Sequence, residues 1–243
     1  MPQDEATAPP RPIRGASEAL LLTHALLVGL TPLIPVPIVD DAVKGAIERR
    51  MVRQVGQANG QDLDDDTVKI LAGEESGNFF VSVAKGIVTF PFKLIFRKLF
   101  IVLEVKRASD LASHAYHRGH LIDLALASGV VAPRGPIPAL RVREAVAAAC
   151  GAVNVSPLGR AFRSVFAGSK GVLESLGKDL LSRLGKSSVE NVAKVVEEQA
   201  TNEPRAAGVI GRMEEAVRSV PRVHFDDLEA RFEERLGIRL TRK

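Results

Sequence analysis

Apolar residues recur at helical spacing along most of this chain and nowhere alternate convincingly, as a half-buried strand would require. A first helix is predicted over EALLLTHALLVGL, residues 18–30, with Ser17 as its N-cap, ending at the proline cluster TPLIPVPIVDD. Pro32, Pro35 and Pro37 cannot sit in a helix interior, so the chain turns there. A second helix is expected from Asp40 or Asp41, with Ala42, Val43, Ala46, Ile47, Met51 and Val55 close to one face. The two form a helical hairpin whose apolar, proline-stiffened tip spans Leu33 to Val39.

Asp62, Asp64 and Asp66 follow in DLDDDTVKILAG, a run that superficially suggests a calcium loop. Thr67 stands where such a loop needs glycine for its sharp turn, and Gly73 where it needs a bidentate glutamate. The aspartates instead suit the cap and acidic first turn of a short helix. Next come a predicted helix from Phe79 to about Thr89 and a longer one from Pro91 to about His114. HLIDLALAS, ALRVREAVAAACGAV, SPLGRAFRSVFAG (Ser156 as N-cap, Pro157 at the first helical position) and GVLESLGKDLLSRL continue the helical pattern. SSVENVAKVVEEQA, a helix around GRMEEAVRSV, and FDDLEARFEERLGI, striped by Phe225, Leu228, Phe232 and Leu236, complete it. The expected fold is therefore an all-α multi-helix bundle with a proline-rich apolar hairpin near its N-terminus. Its expected parts are a disordered tail at 1–15, an apolar and basic helical domain at 16–130, and a helical region at 139–243. The proline-rich stretch 131–138 is the candidate boundary, with packing of both regions into one domain as the alternative.

Composition agrees with helices: there is no Trp, only Tyr116 among tyrosines, and Ala, Val and Leu dominate. The lone Cys150 excludes an internal disulfide, and its setting AVAAACGAV is that of an inert small hydrophobe. A reducing, cytoplasmic setting is expected, since MPQDEATAPPRPIRG has acids and prolines where a secretory signal carries basic and then apolar residues.

Charge changes the picture more than composition does. Residues 1–78 carry a net −5, residues 79–122 a net +5 and residues 123–243 a net +4. The most basic stretch is also the richest in phenylalanine, with six of the ten between Phe79 and Phe100. Lys85, Lys93, Arg97 and Lys98 interrupt it, so no run approaches the roughly 20 apolar residues a membrane span needs. Aromatics beside basic charge suit an anionic lipid surface. Phe92, Lys93, Phe96, Arg97, Lys98 and Phe100 are the candidate membrane-binding residues. Burial of the same residues in the protein's own core is the alternative.

Catalytic signatures are sparse. In SHAYHRGHLID, His114, His117, His120 and Asp123 stand three residues apart, and on one helix adjacent pairs can share a metal while all four spread over about half the circumference. A metal-dependent hydrolase using His114, His117 and His120 is the enzymatic alternative; His24 and His224 are too distant in sequence to join it on this reading. GVLESLGKD and GKSS both fail the phosphate-loop spacing, and there is no GxGxxG, GxSxG or HExxH. The basic residues Arg160, Arg163, Lys170, Lys178, Arg183 and Lys186 are interrupted by Glu174 and Asp179 and lack a recognition motif, which disfavours nucleic acid. No cofactor is expected.

The stretch HALLVGLTPLIPVPIVDDAVKGAIERRMVRQVGQANGQDLDDD, residues 24–66, resembles the bacterial EcsC-like and YcjF-like membrane-associated proteins. Pro32, Pro35, Pro37, Asp40, Met51 and Gly60 carry the resemblance, while Ala58-Asn59-Gly60 departs from the aromatic-glycine pair usual in those groups. It implies a helical bacterial protein at the membrane periphery and no particular reaction. The expected function is accordingly non-enzymatic: a cytoplasmic adaptor, or a peripheral protein at the inner membrane face, whose partner is an anionic membrane surface or a membrane-bound protein. A soluble helical scaffold without lipid contact is the alternative.

Overall fold

The computed structural model describes residues 15–33, 37–73, 99–153, 157–184, 202–240 and the isolated positions Asn191, Lys194, Glu197 and Glu198, apart from some side chains near helix ends. Among these residues there are nine helices: α1 (Gly15–Leu30), α2 (Pro37–Ala58), α3 (Asp65–Ala72), α4 (Leu99–Ala127), α5 (Ala139–Ala152), α6 (Pro157–Gly168), α7 (Lys170–Leu184), α8 (Pro204–Ser219) and α9 (Arg222–Leu236). A 3₁₀ turn, Thr31–Leu33, follows α1. The described residues form no strand, only a parallel bridge between Val131 and Ile137. The fold is an all-α helical bundle.

Helix α1 lies at the centre. Every residue from Leu21 to Leu30 is buried, which accounts for its lack of a polar face, and it packs on α2, α4 and α8. Its polar members turn back on the helix itself: Thr23 Oγ1 donates to Ala19 O at 2.8 Å, and His24 Nδ1 donates to Leu20 O at 2.9 Å. The apolar run that opens the hairpin is therefore core. Two expected starts shift: α1 begins at Gly15, placing Ser17 inside the helix and not at its cap, and α2 begins at Pro37. Proline suits a first helical turn because its missing N–H would have no intrahelical partner there.

Helix α3 follows the expected acidic cap. Asp64 accepts from Thr67 N at 2.8 Å, with Asp65 and Asp66 in the first turn. Its other end closes on Gly73 in the left-handed region at φ 85, while Arg118 reaches over from α4 to donate to Ala72 O at 2.7 Å. The same guanidinium meets buried Glu48 of α2 at 3.0 Å. One side chain thus ties three helices.

Helix α4 runs unbroken for 29 residues through His114 and Gly119, where the sequence predicted an end near His114 and a separate helix beyond. Gly119 serves close packing here: a Cβ there would lie 2.5 Å from Leu21 Cδ2 and 3.1 Å from Met51 Sδ. The cost of glycine in a helix, about 1 kcal/mol, is offset by letting α1 and α2 approach.

After α4 the chain turns through residues 128–138, with Gly135 N donating to Val131 O at 2.8 Å. A Cβ on Gly135 would overlap the backbone carbonyl carbon of Val130, which cannot rotate aside. Gly135→Ala is therefore expected to destabilise the protein by about 3 kcal/mol or more, read as a lowered urea midpoint at unchanged slope. An unchanged midpoint would show that the turn relaxes freely.

One cluster of buried residues crosses this turn, joining Leu21, Leu26, Tyr116 and Leu124 to Phe162, Phe166, Met213 and Phe232. Helix α6 leans on α4, α8 on α6 and α1, and α9 on α5.

Candidate functional site

Three buried histidines and the one tyrosine gather where α4 meets α9. Tyr116, His117 and His120 are buried on α4, and the first turns of α9 bring His224 and Phe225 against them. His117 Nε2 and His224 Nε2 are 3.0 Å apart, while His120 Nε2 donates to the Glu229 carboxylate at 2.8 Å. Phe225 packs within ring-contact distance of Tyr116 and all three histidines, and Phe162 meets Tyr116 edge-on at 6.2 Å.

Burial governs the electrostatics. Desolvation holds the His117 pKa down to about 3, with His224, His120 and His114 adding in the same direction. His224 is also lowered by burial, with Asp227 opposing. Two Nε2 atoms in contact require one ring to donate and the other to accept, so a single hydrogen is shared along this line. Burial raises the Tyr116 pKa, helped by the negative charges of Glu18, Asp123 and Glu214. Tyr116 Oη and His120 Nδ1 are buried without a hydrogen-bond partner. Glu18 lies at the edge of the cluster, its pKa raised first by burial and then by Glu214, with Arg218 opposing.

The structure does not gather His114, His117 and His120 into one site. His114 keeps surface open to solvent, although desolvation, then Arg118 and Lys44, lowers its pKa to about 4, whereas His117 is committed to His224 and His120 to Glu229. Among the described residues no three His, Cys, Asp or Glu side chains are placed to hold a metal ion. His224, set aside on sequence spacing, is the residue that spacing missed, because its partner stands 107 positions away. His24 is buried too, with Nε2 3.7 Å from Glu197, whose carboxylate accepts from Arg50 and from Gln54 at 2.6 Å. Burial lowers the His24 pKa, opposed by its bond to Leu20 and by Glu197. Cys150 is buried, and desolvation pushes its thiol up to about 11, the state of an unreactive side chain.

No family model, curated protein or solved structure matches this chain.

Of the candidate membrane-binding residues, Phe92, Lys93, Phe96, Arg97 and Lys98 lie outside the described residues, and Phe100 is on the first turn of α4 with its side chain likewise outside them. What is described is where this segment joins the bundle. A Cβ on Gly29, near the end of α1, would lie 3.0 Å from Ala108 O and 3.0 Å from the Phe166 ring. The end of α1 therefore meets the first half of α4 and the end of α6 at one end of the bundle, and the 3₁₀ turn after α1 contacts α2, α4 and α7 there. Lys106 and Arg107 on α4 and Lys170 at the start of α7 are exposed at this end. Among the described residues no helix is long and apolar enough to cross a membrane.

Proposed function

We propose that this protein is a non-enzymatic helical adaptor that associates peripherally with an anionic membrane surface through the segment containing Phe92, Phe96 and Phe100. The observation that carries the reading is convergence at one end of the bundle: the 3₁₀ turn Thr31–Leu33 contacts α4, and the end of α1 meets α4 at Ala108 and Ala112, in the half of α4 that follows the phenylalanine-rich segment. Exposed Lys106 and Arg107 follow Lys93, Arg97 and Lys98 in the sequence, and Lys170 is exposed at the start of α7. The resemblance of residues 24–66 to EcsC-like and YcjF-like proteins belongs to the same proposal and points to a bacterial protein at the inner membrane face.

Aromatic insertion would supply the apolar term, and each basic residue near an anionic surface adds about 1 kcal/mol. Flotation of the full chain with anionic vesicles is expected at low salt and should weaken as salt rises. Joint replacement of Lys93, Arg97 and Lys98 by Gln should weaken binding by roughly a hundredfold, taking about 1 kcal/mol for each, with unchanged circular dichroism. Flotation under no condition would leave a soluble scaffold. Equal flotation of the variant would remove the electrostatic part.

A further inference from the structure

We propose that the His117–His224 contact is a proton-operated latch that holds the first turns of α9 on α4, closed by one shared hydrogen and opened when both rings are protonated. The geometry is specific to that behaviour. With Nε2 atoms 3.0 Å apart, a neutral pair forms one N–H···N bond, whereas two imidazolium rings would point N–H at N–H inside a buried site.

The surroundings supply little to compensate a second charge. On α4, His114 and His120 add positive character when protonated, and Tyr116 is held neutral by burial. On α9, Asp227 favours charge on His224, Glu229 is engaged by His120, and Asp226 pairs with Arg222. From α1 and α8, Glu18, Glu214 and Arg218 reach the opposite edge of the cluster, beside Tyr116 and His120. Helix α5, which packs on α9, buries apolar Val142, Ala145, Val146 and Ala149 and leaves Arg141 and Glu144 exposed; Arg143 is half-buried. From α6 the contact is the Phe162 ring on Tyr116.

The latch lies between an anchor and a hinge. His120 Nε2 holds Glu229 at 2.8 Å, so the second turn of α9 stays attached while its first turn lifts. The short link Val220–Pro221 between α8 and α9 absorbs the movement. Opening exposes Phe225 and Tyr116, converting a core aromatic cluster into accessible surface.

The test is hydrogen exchange of the full chain from pH 7 to pH 4.5, corrected for intrinsic chemistry, with α1 and α6 as internal references. In the native protein, opening of residues 222–228 should rise at least tenfold per pH unit below 6.5, ahead of α1 and α6, because the open form takes up at least one proton more. His117→Gln combined with His224→Gln keeps polar groups at both positions without titrating and should abolish that rise, while either replacement alone should lessen it, since the remaining ring still takes up a proton on opening. The proposal is overturned if α9 opens in step with α1 and α6 at every pH, if it stays closed to pH 4.5, or if the variants keep the native profile. Histidine nitrogen shifts give an independent reading: one protonated and one bare Nε2 are expected at pH 7, and two independently titrating rings under a protected α9 would also overturn it.

Discussion

Arg118→Met is expected to destabilise the protein by about 3–5 kcal/mol, the cost of leaving one partner of a buried ion pair alone. Arg118 meets Glu48 at 3.0 Å with both side chains largely buried, and it donates to Ala72 O at 2.7 Å at the C-terminus of α3. Removing it strands a carboxylate and opens a helix end at once. Urea unfolding reads the loss directly. Glu48→Met combined with Arg118→Met should recover part of it, because the pair is then replaced by apolar volume and only the α3 carbonyls remain unpaired. A single variant within about 1 kcal/mol of the native protein would show that Glu48 finds water on losing its partner, and the role assigned to Arg118 in tying α2, α3 and α4 would be withdrawn.

Acid should weaken the whole fold, and the sign follows from the buried histidines. In the unfolded chain His117 titrates near its ordinary 6.5, while in the folded protein burial holds it near 3. Between these values the unfolded state binds a proton that the folded state refuses, so stability is present above about 6.5 and is lost as pH falls below it. From pH 6.5 to pH 5 this removes about 2 kcal/mol for His117 alone, at about 1.4 kcal/mol per pH unit once well below 6.5. His24, also lowered by burial, adds in the same direction. Glu18 works against them: its raised pKa means that the folded state gains protons more readily, so stability recovers somewhat as pH falls through its folded value. Urea midpoints measured at pH 7, 6 and 5 should fall in that order. A flat or rising series would mean that these histidines are accessible to protons in the folded protein.

The local parts of the fold were legible because each rests on neighbours in sequence. The 3.6-residue period of apolar positions announced the helices, Asp64 announced the start of α3, and the prolines after α1 announced the turn of the hairpin. Local rules fail where a distant contact outweighs them. Ser17 has a capping side chain, yet the helix starts before it, at Gly15. Gly119 reads as a helix breaker, yet α4 continues because Leu21 and Met51 occupy the space a side chain would need.

The candidate site divides in the same way. That His114, His117 and His120 share a helix follows from their spacing, and so does the inert apolar setting of Cys150. Which histidines meet does not. Spacing along α4 offers three equivalent partners, but the crossing of α9 selects His117 for His224 and His120 for Glu229 and leaves His114 outside. By itself the sequence determined an all-helical chain, its hairpin and the concentration of phenylalanine and basic charge before α4, because periodicity, capping and composition act over a few residues. Only the tertiary structure decided that α1 is core, that Arg118 joins three helices and that a pair of buried histidines shares one hydrogen, because those outcomes depend on how helices far apart in the chain cross and exclude water.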